Sequence, residues 1–198
     1  MSPPESSLSS TPSQSSALST RTLGAGALGG VLAYLLGYAL TYAATGQRIE
    51  NSIASRILEV ATGDPGTWKI VGWVFYNEHF VTTEIPGLLG STATNFVGGE
   101  DGFAAALFLL PPILLLLAGG VAAAVSHAET PLSGALGGAT VLLGYLPLGV
   151  VGAFLFGIDV GDATAGPTLV TAILLVGIVY PLVFGAVGGV LGSLASGE

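Results

Sequence analysis

The stretch FAAALFLLPPILLLLAGGVAAAVS, residues Phe103–Ser126, decides the fold. It contains no charged residue, and its one strongly polar residue is the last. An α-helix rises about 1.5 Å per residue, so this stretch is long enough to cross a bilayer hydrocarbon core of about 30 Å. Three other stretches resemble it, and the rest of the chain connects them. The sequence therefore predicts a multi-pass protein of the cell membrane, surrounded mainly by the lipid bilayer.

The composition supports this class and excludes several others. Of the 198 residues, 51% are hydrophobic and only 8% are charged, whereas soluble domains carry about 25% charged residues. Acidic residues outnumber basic ones 12 to 4, which argues against a nucleic-acid partner because phosphate binding needs clustered cations. The absence of cysteine excludes disulfides, zinc–thiolate sites and cysteine nucleophiles.

The predicted fold class is an all-α integral membrane protein with four transmembrane helices. A Ser/Pro-rich tail at residues 1–20 is predicted to be disordered, and residues 21–198 form the transmembrane domain. Four spans place both termini on one side, but three basic residues near the first span do not fix which side. The apolar core of the first span is too long for a signal peptide, which favours a retained helix. The four spans are predicted at residues 22–45, 103–126, 132–158 and 167–195.

A single long loop, residues 46–102, separates the first two spans. Ile49, Ile53 and Ile57 recur at helical spacing, which indicates a short amphipathic helix ending near Gly63. Apolar residues on one face of an otherwise polar helix favour a position on the membrane surface. The loop is therefore expected to stay close to the bilayer at this helix.

The second part of the loop, WKIVGWVFYNEHFV at Trp68–Val81, is apolar and aromatic but too short to span. This mixture suits an interfacial or re-entrant segment, and a fifth span over residues 68–90 is the alternative. The candidate functional residues of this segment and of the residues just after it are Trp68, Trp73, Asn77, Glu78, His79 and Glu84. The plainer interpretation is a membrane anchor in which Asn77, Glu78 and His79 form a solvated break.

No predicted span carries an ionisable residue in its middle, which argues against proton- or ion-coupled transport. The two histidines, His79 and His127, are predicted on opposite sides of the membrane, so they cannot share a metal ion. Asp159 and Asp162 are best interpreted as an ordinary acidic turn. We therefore predict no catalytic residue, no metal site and no cofactor, and we expect that the protein is not an enzyme.

Small-residue motifs predict how the helices pack. Glycines four apart let helix backbones approach closely, which is a common mode of association in membranes. The glycines of these motifs are Gly26, Gly30, Gly134, Gly138, Gly185 and Gly189. All of them fall towards the side of the termini, whereas Pro147 and Pro181 are expected to kink their helices towards the long loop.

The pattern Trp-Lys-x-x-Gly-Trp-x-Phe-Tyr-Asn-x-His-Phe-Val at residues 68–81 has one span before it and three after it. In this arrangement the chain resembles uncharacterised multi-pass membrane proteins of haloarchaea. The acidic excess, the single lysine and the absence of cysteine fit a halophilic source. The resemblance implies a class and a source but no activity.

Plentiful packing glycine and little buried polar chemistry together favour a non-enzymatic structural or partner subunit of a membrane assembly. Its partner would be another membrane protein or a second copy of the chain. The alternative is a small transporter or channel for a neutral or apolar solute. In either case, function is expected in Trp68–Glu84 and the kinked helix halves beneath it, and not at the side of the termini.

Overall fold

The computed structural model describes residues 19–63, 65–87 and 90–196. Residues 1–18 of the predicted tail lie outside this range. Ser19 and Thr20, the last residues of that tail, are instead the N-cap and first residue of a helix. The Ser19 hydroxyl accepts a hydrogen bond from the Thr22 amide at 3.2 Å, which satisfies one of the free N–H groups at the helix start.

The described residues include eight α-helical segments and four strands. The helices are α1 (Thr20–Glu50), α2 (Ile53–Thr62), α3 (Thr67–Asn77), α4 (Leu110–Val125), α5 (Pro131–Ala139), α6 (Leu142–Leu155), α7 (Leu169–Ala172) and α8 (Tyr180–Ala195). The strands are β1 (Thr83–Gly87), β2 (Gly90–Thr94), β3 (Ile158–Val160) and β4 (Ala163–Pro167). A 3₁₀ turn at Ala105–Leu109 precedes α4, and a π-helix at Ile173–Val179 joins α7 to α8.

Four helices are long and apolar enough to cross a membrane. The first long helix is α1, and the second combines the 3₁₀ turn with α4 as Ala105–Val125. The third, Pro131–Leu155, contains α5 and α6, and the fourth, Leu169–Ala195, runs from α7 to α8. These bounds lie within a few residues of the four predicted spans, except that α1 continues to Glu50. The described part of residues 68–90 forms no fifth helix of this kind.

The prediction of an all-α fold is wrong in one respect, because the chain also forms a four-stranded antiparallel sheet. Its strand order is β2-β1-β4-β3, so the sheet joins the long loop to the connection between the third and fourth long helices. Thr83 pairs with Pro167 and Ile158 pairs with Ala165. The strands have only three to five residues, too few for apolar alternation to mark them in the sequence. We call the end of the helix bundle at which this sheet lies the sheet end.

The predicted amphipathic helix of the loop is present as α2, except that Ile49, which was predicted to belong to it, lies in the last turn of α1. The Ser52 side chain accepts from the Ser55 amide at 3.2 Å, and Gly63 ends the helix in the left-handed region with φ of 79°. Glycine occupies that conformation without the steric cost that a side chain would add. Ile53 and Val60 are exposed on α2, so part of its apolar surface is free of contacts from the described residues.

The glycines of the small-residue motifs lie where helix backbones approach each other. A methyl group on Gly138 would overlap the carbonyl oxygen of Gly185, and one on Gly134 would overlap that of Gly189. A methyl group on Gly30 would overlap the carbonyl oxygen of Val141 in the third long helix. Backbones this close gain dispersion contacts along both helices, which tightens the end of the bundle opposite the sheet.

The sheet generates a topology prediction. Ser91 lies on β2 and Asp162 follows β3, so cysteines at both positions are expected to react from the same side of the membrane. Thr130, at the turn between α4 and α5, is expected to react from the opposite side. Single cysteines in the cysteine-free chain, labelled by an impermeant maleimide in intact and in lysed cells, measure this. Labelling of Ser91→Cys and Thr130→Cys from one side would contradict the fold.

The close backbone approach generates a stability prediction. Gly138→Ala is expected to lower the free energy of unfolding by about 1–3 kcal/mol, because the added methyl group meets backbone rather than a movable side chain. Gly24→Ala is the control, since in the described part of the chain no neighbouring helix or side chain lies within 4 Å of the position that its methyl group would take. Denaturant titration in detergent gives both values. Equal losses in the two variants would mean that Gly138 is not at a tight contact.

Candidate functional site

The candidate segment enters the bundle from the sheet end and stops between the long helices. Asn77, Glu78 and His79 are each 0% exposed, so the expectation of a solvated break is wrong. The His79 ring lies 4.8 Å from the Tyr180 ring and makes a hydrogen bond to Tyr145. Both tyrosines lie near the midpoints of their long helices. The end of α3 is therefore at the centre of the bundle.

The sequence of α3 explains why it is inserted. All residues from Val71 to Asn77 are buried, and a helix that is apolar on every face is stable only when it is surrounded. Gly72 lets α3 approach the Phe156 ring, since a methyl group there would overlap that ring. At the end of α6, Trp73 Nε1 donates to the Phe156 carbonyl and Lys69 Nζ to the Gly157 carbonyl, both at 2.7 Å. These bonds satisfy the carbonyl groups of the C-cap of α6 and of the residue after it.

A tight turn ends α3 inside the bundle. The Phe80 amide donates to the Asn77 carbonyl at 2.9 Å, and the Val81 amide donates to the Tyr76 carbonyl at 3.2 Å. This is the Schellman pattern, in which the residue after the helix takes a left-handed conformation. Phe80 has φ of 60°, which is uncommon for a residue other than glycine. Its ring is exposed and stacks on Phe108 at 4.4 Å between ring centroids.

Asn77 fixes this turn to the segment that follows the sheet. Its Nδ2 donates to the Val81 carbonyl at 2.7 Å, and its Oδ1 accepts from the Phe96 amide at 2.8 Å. Nδ2 also lies 3.2 Å from Thr83 Oγ1 at the start of β1. All polar atoms of the Asn77 side chain therefore have partners, and its role is to hold the structure together.

His79 is neutral and its tautomer follows from its partners. Nδ1 lies 2.8 Å from the Phe75 carbonyl, which can only accept, so Nδ1 carries the proton. Nε2 then accepts from the Tyr145 hydroxyl, also at 2.8 Å. Burial disfavours the charged ring and lowers the pKa of His79 to about 3.

Glu78 is the least satisfied group of the site. Its Oε1 lies 2.7 Å from Thr41 Oγ1, but its Oε2 is buried without a hydrogen-bond partner among the described residues. Burial raises the pKa of Glu78 to about 8, an effect that the Thr41 hydrogen bond partly offsets. The negative end of the α3 dipole adds a further reason for a neutral carboxyl group.

The fourth long helix is irregular where it faces this site. Ile173–Val179 has π-helical hydrogen bonds, and Tyr180 and Pro181 follow directly. Pro181 has no N–H to give to the Gly177 carbonyl, which explains why the regular α-helical pattern changes here. Single π-helical turns occur often at functional sites. The sequence predicts a kink at Pro181 but not its position beside His79.

A large apolar cavity lies on the other face of α3, at the sheet end. Its volume is about 830 Å³, within the range of small-molecule sites. Trp73 and Val74 of α3 form one wall, and Ile85 and Val160 of the sheet lie in its lining. Arg48 is at its edge but donates to backbone carbonyls of Asp101 and Gly102.

The structure separates the other candidate residues from this centre. Glu84 lies exposed on β1, and it lines a smaller cavity of about 590 Å³ together with Lys69 and Asp159. Trp68 is half-buried, and its backbone carbonyl accepts from the Tyr38 hydroxyl at 2.9 Å. Among the described residues, no three His, Cys, Asp or Glu side chains lie close enough to hold a metal ion.

The fold thus defines a helical protein with four helices long and apolar enough to cross a membrane and a small sheet at one end. The chain belongs to DUF7978, a family of unknown function, whose sequence profile matches residues 5–196. No curated protein and no solved structure matches the chain. The family agrees with the resemblance to uncharacterised proteins, and a haloarchaeal source stays a prediction.

The buried acid and histidine generate a prediction for stability against pH. The pKa of Glu78, 4.5 in an ordinary setting, is raised to about 8, so its contribution makes stability fall as pH rises between these values. The pKa of His79 is lowered from 6.5 to about 3, so its contribution makes stability rise as pH rises between these two values. The two slopes cancel between pH 4.5 and 6.5, and only that of Glu78 acts from pH 6.5 to about 8.

In that upper window the wild type is expected to lose about 2 kcal/mol of unfolding free energy, at about 1.4 kcal/mol per pH unit. Glu78→Gln, which cannot ionise, is expected to remove this slope. Denaturant titrations of both proteins at several pH values give the comparison. Parallel slopes in the wild type and the variant would contradict the assignment.

Proposed function

We propose that the protein is a non-enzymatic, multi-pass protein of the cell membrane that binds an apolar solute in the cavity at the sheet end and takes part in its transport. The outward faces of the long helices support the membrane location. Leu28, Leu117 and Leu191 are more than half exposed there, and in water such leucines would be costly.

The cavity itself carries the proposal. It is bounded by α3, α1 and the sheet, and its lining is mainly aliphatic and aromatic. Its two charged residues have partners, since Arg48 binds backbone carbonyls and Asp159 accepts from Thr164 at 3.0 Å. The hydrogen-bonding groups of both charged side chains are thus already engaged within the protein, and the rest of the lining would bury the surface of a neutral apolar solute favourably.

The structure changes the balance between the two functions that the sequence suggested. The structural or partner-subunit hypothesis depended partly on a lack of buried polar chemistry, and Glu78 and His79 remove that support. A specific observation still favours it as the second candidate. Ile53 and Val60 expose apolar surface on α2, beside the cavity, where a membrane protein partner or a second copy of the chain would fit.

Tryptophan fluorescence tests solute binding. Trp68→Phe leaves Trp73, a residue of the cavity wall, as the single tryptophan. A brominated alkane is expected to quench Trp73 saturably in detergent, because it is an apolar molecule that fits the cavity. Ile85→Lys in this background is expected to weaken binding at least about tenfold, since Ile85 is partly buried in the lining and an ammonium group in an apolar cavity is costly.

Val60→Lys is the matched control, because Val60 is exposed on α2 and lies outside the cavity lining. Quenching that does not saturate, or an equal loss in both lysine variants, would contradict the solute-binding function. A stoichiometric partner retained through mild detergent extraction, without saturable quenching, would instead favour the subunit function.

A further inference from the structure

Glu78 is a carboxyl group with no countercharge at the centre of a helical bundle. It is fully buried, and it forms no ion pair among the described residues. One of its oxygens contacts a single hydroxyl, and the other has no hydrogen-bond partner in the described part of the chain. A carboxylate in this setting would be an isolated buried charge, which proteins avoid by keeping the group neutral.

The geometry around Thr41 agrees with a neutral acid. Thr41 Oγ1 lies 2.7 Å from Glu78 Oε1 and 2.9 Å from the Gly37 carbonyl oxygen, which can only accept. One hydroxyl proton cannot serve both acceptors fully. A protonated Glu78 resolves the conflict, because its own O–H donates to Thr41 while Thr41 donates to Gly37.

Other titratable groups surround this turn, and none of those that the structure describes is a cation. They are Tyr34 on α1, Tyr76 and His79 on α3, Tyr145 on α6 and Tyr180 on α8. The tyrosines are uncharged around neutral pH. The His79 ring is also neutral, as its hydrogen bonds to Phe75 and Tyr145 require. Release of the Glu78 proton would therefore leave a charge that no neighbour neutralises.

The position of α3 is the part of the structure that such a charge would change. Glu78 lies at the last turn of α3, and Asn77 beside it holds the segment at Phe96. Trp73, one turn earlier, stacks on Phe96 and forms the wall of the apolar cavity. A charge at the end of α3 gains hydration if that end moves towards water, and this movement would carry Trp73 and Phe96 with it.

We propose that Glu78 binds and releases a proton at the centre of the bundle, and that the bound proton holds α3 in its inserted position. Release breaks the carboxyl O–H bond, leaves the electron pair on the carboxylate and gives the proton to water. The resulting carboxylate draws the end of α3 out of the bundle. The movement of α3 does not depend on the proposed function. Only the further step, in which this movement also reshapes a solute site, rests on that function.

The test follows Trp73 emission in the Trp68→Phe background, in detergent and without any solute. Between about pH 6.5 and about pH 9.5 the emission is expected to shift to longer wavelength as Trp73 meets water, with a midpoint near pH 8. Glu78→Gln is expected to keep the short-wavelength emission throughout. Glu84→Gln, which removes the exposed acid of β1, is expected to leave the transition unchanged.

Emission that is constant with pH in the Glu78-containing protein, or a transition that survives Glu78→Gln, would overturn the proposal.

Two measurements cover the case in which Glu78→Gln does not fold. Infrared spectroscopy of the wild type at neutral pH is expected to show the carbonyl band of a protonated carboxylic acid, which disappears with the Trp73 transition. Thr41→Val is expected to move the midpoint to higher pH, because the Thr41 hydroxyl can turn to donate to the carboxylate, and this charge-assisted bond is stronger than the one that Thr41 accepts from the neutral acid. No such band, or an unmoved midpoint, would also overturn it.

Discussion

The structure depends on one constraint, which is that helix α3 ends where its terminal carbonyl groups are buried inside the bundle. In such surroundings each polar group needs a partner within the protein. At the end of α3 the partners come from the turn itself, through the amides of Phe80 and Val81, and from the His79 side chain at the Phe75 carbonyl. Asn77 adds the link to Phe96. The buried Oε2 of Glu78 stands out against this background of satisfied groups.

The two ends of the bundle make this insertion possible in different ways. At one end, glycines such as Gly138 and Gly185 bring the helix backbones together and leave little space. At the other end, α3 fills the space between the helices and supplies donors to their carbonyl groups. Tyr76 donates to the Gly149 carbonyl at 2.5 Å, and Trp73 donates to that of Phe156. Helix α3 is therefore a structural part of the bundle, and its apolar face also forms a cavity wall.

Much of the fold was predictable from the sequence, and the centre of the site was not. Long apolar runs fix the four long helices because membrane-crossing length is a strong local signal. The caps at Ser52 and Gly63 fix α2 in the same local way. The sheet depends on pairing between distant short strands, which no local pattern encodes. Glu78 was predicted to be solvated, because ionisable residues were expected to be buried only within the spans. A short segment outside the spans instead brings this acid to the centre of the bundle. The all-round apolar sequence of that segment was the signal that pointed to burial.

The identity of residue 78 is itself informative about what this site does. For a group that only holds α3 in place, a neutral amide would serve as well, because glutamine also offers a donor to Thr41 and has nearly the same shape. A leucine or methionine would avoid the unsatisfied oxygen altogether and contribute apolar burial. Glutamic acid differs from these alternatives in one property, the ability to lose a proton. Its burial favours the neutral form but brings its pKa to about 8, close enough to neutrality that both protonation states are accessible. A purely structural role explains the position of the side chain but not this chemistry, and a change of protonation state explains both.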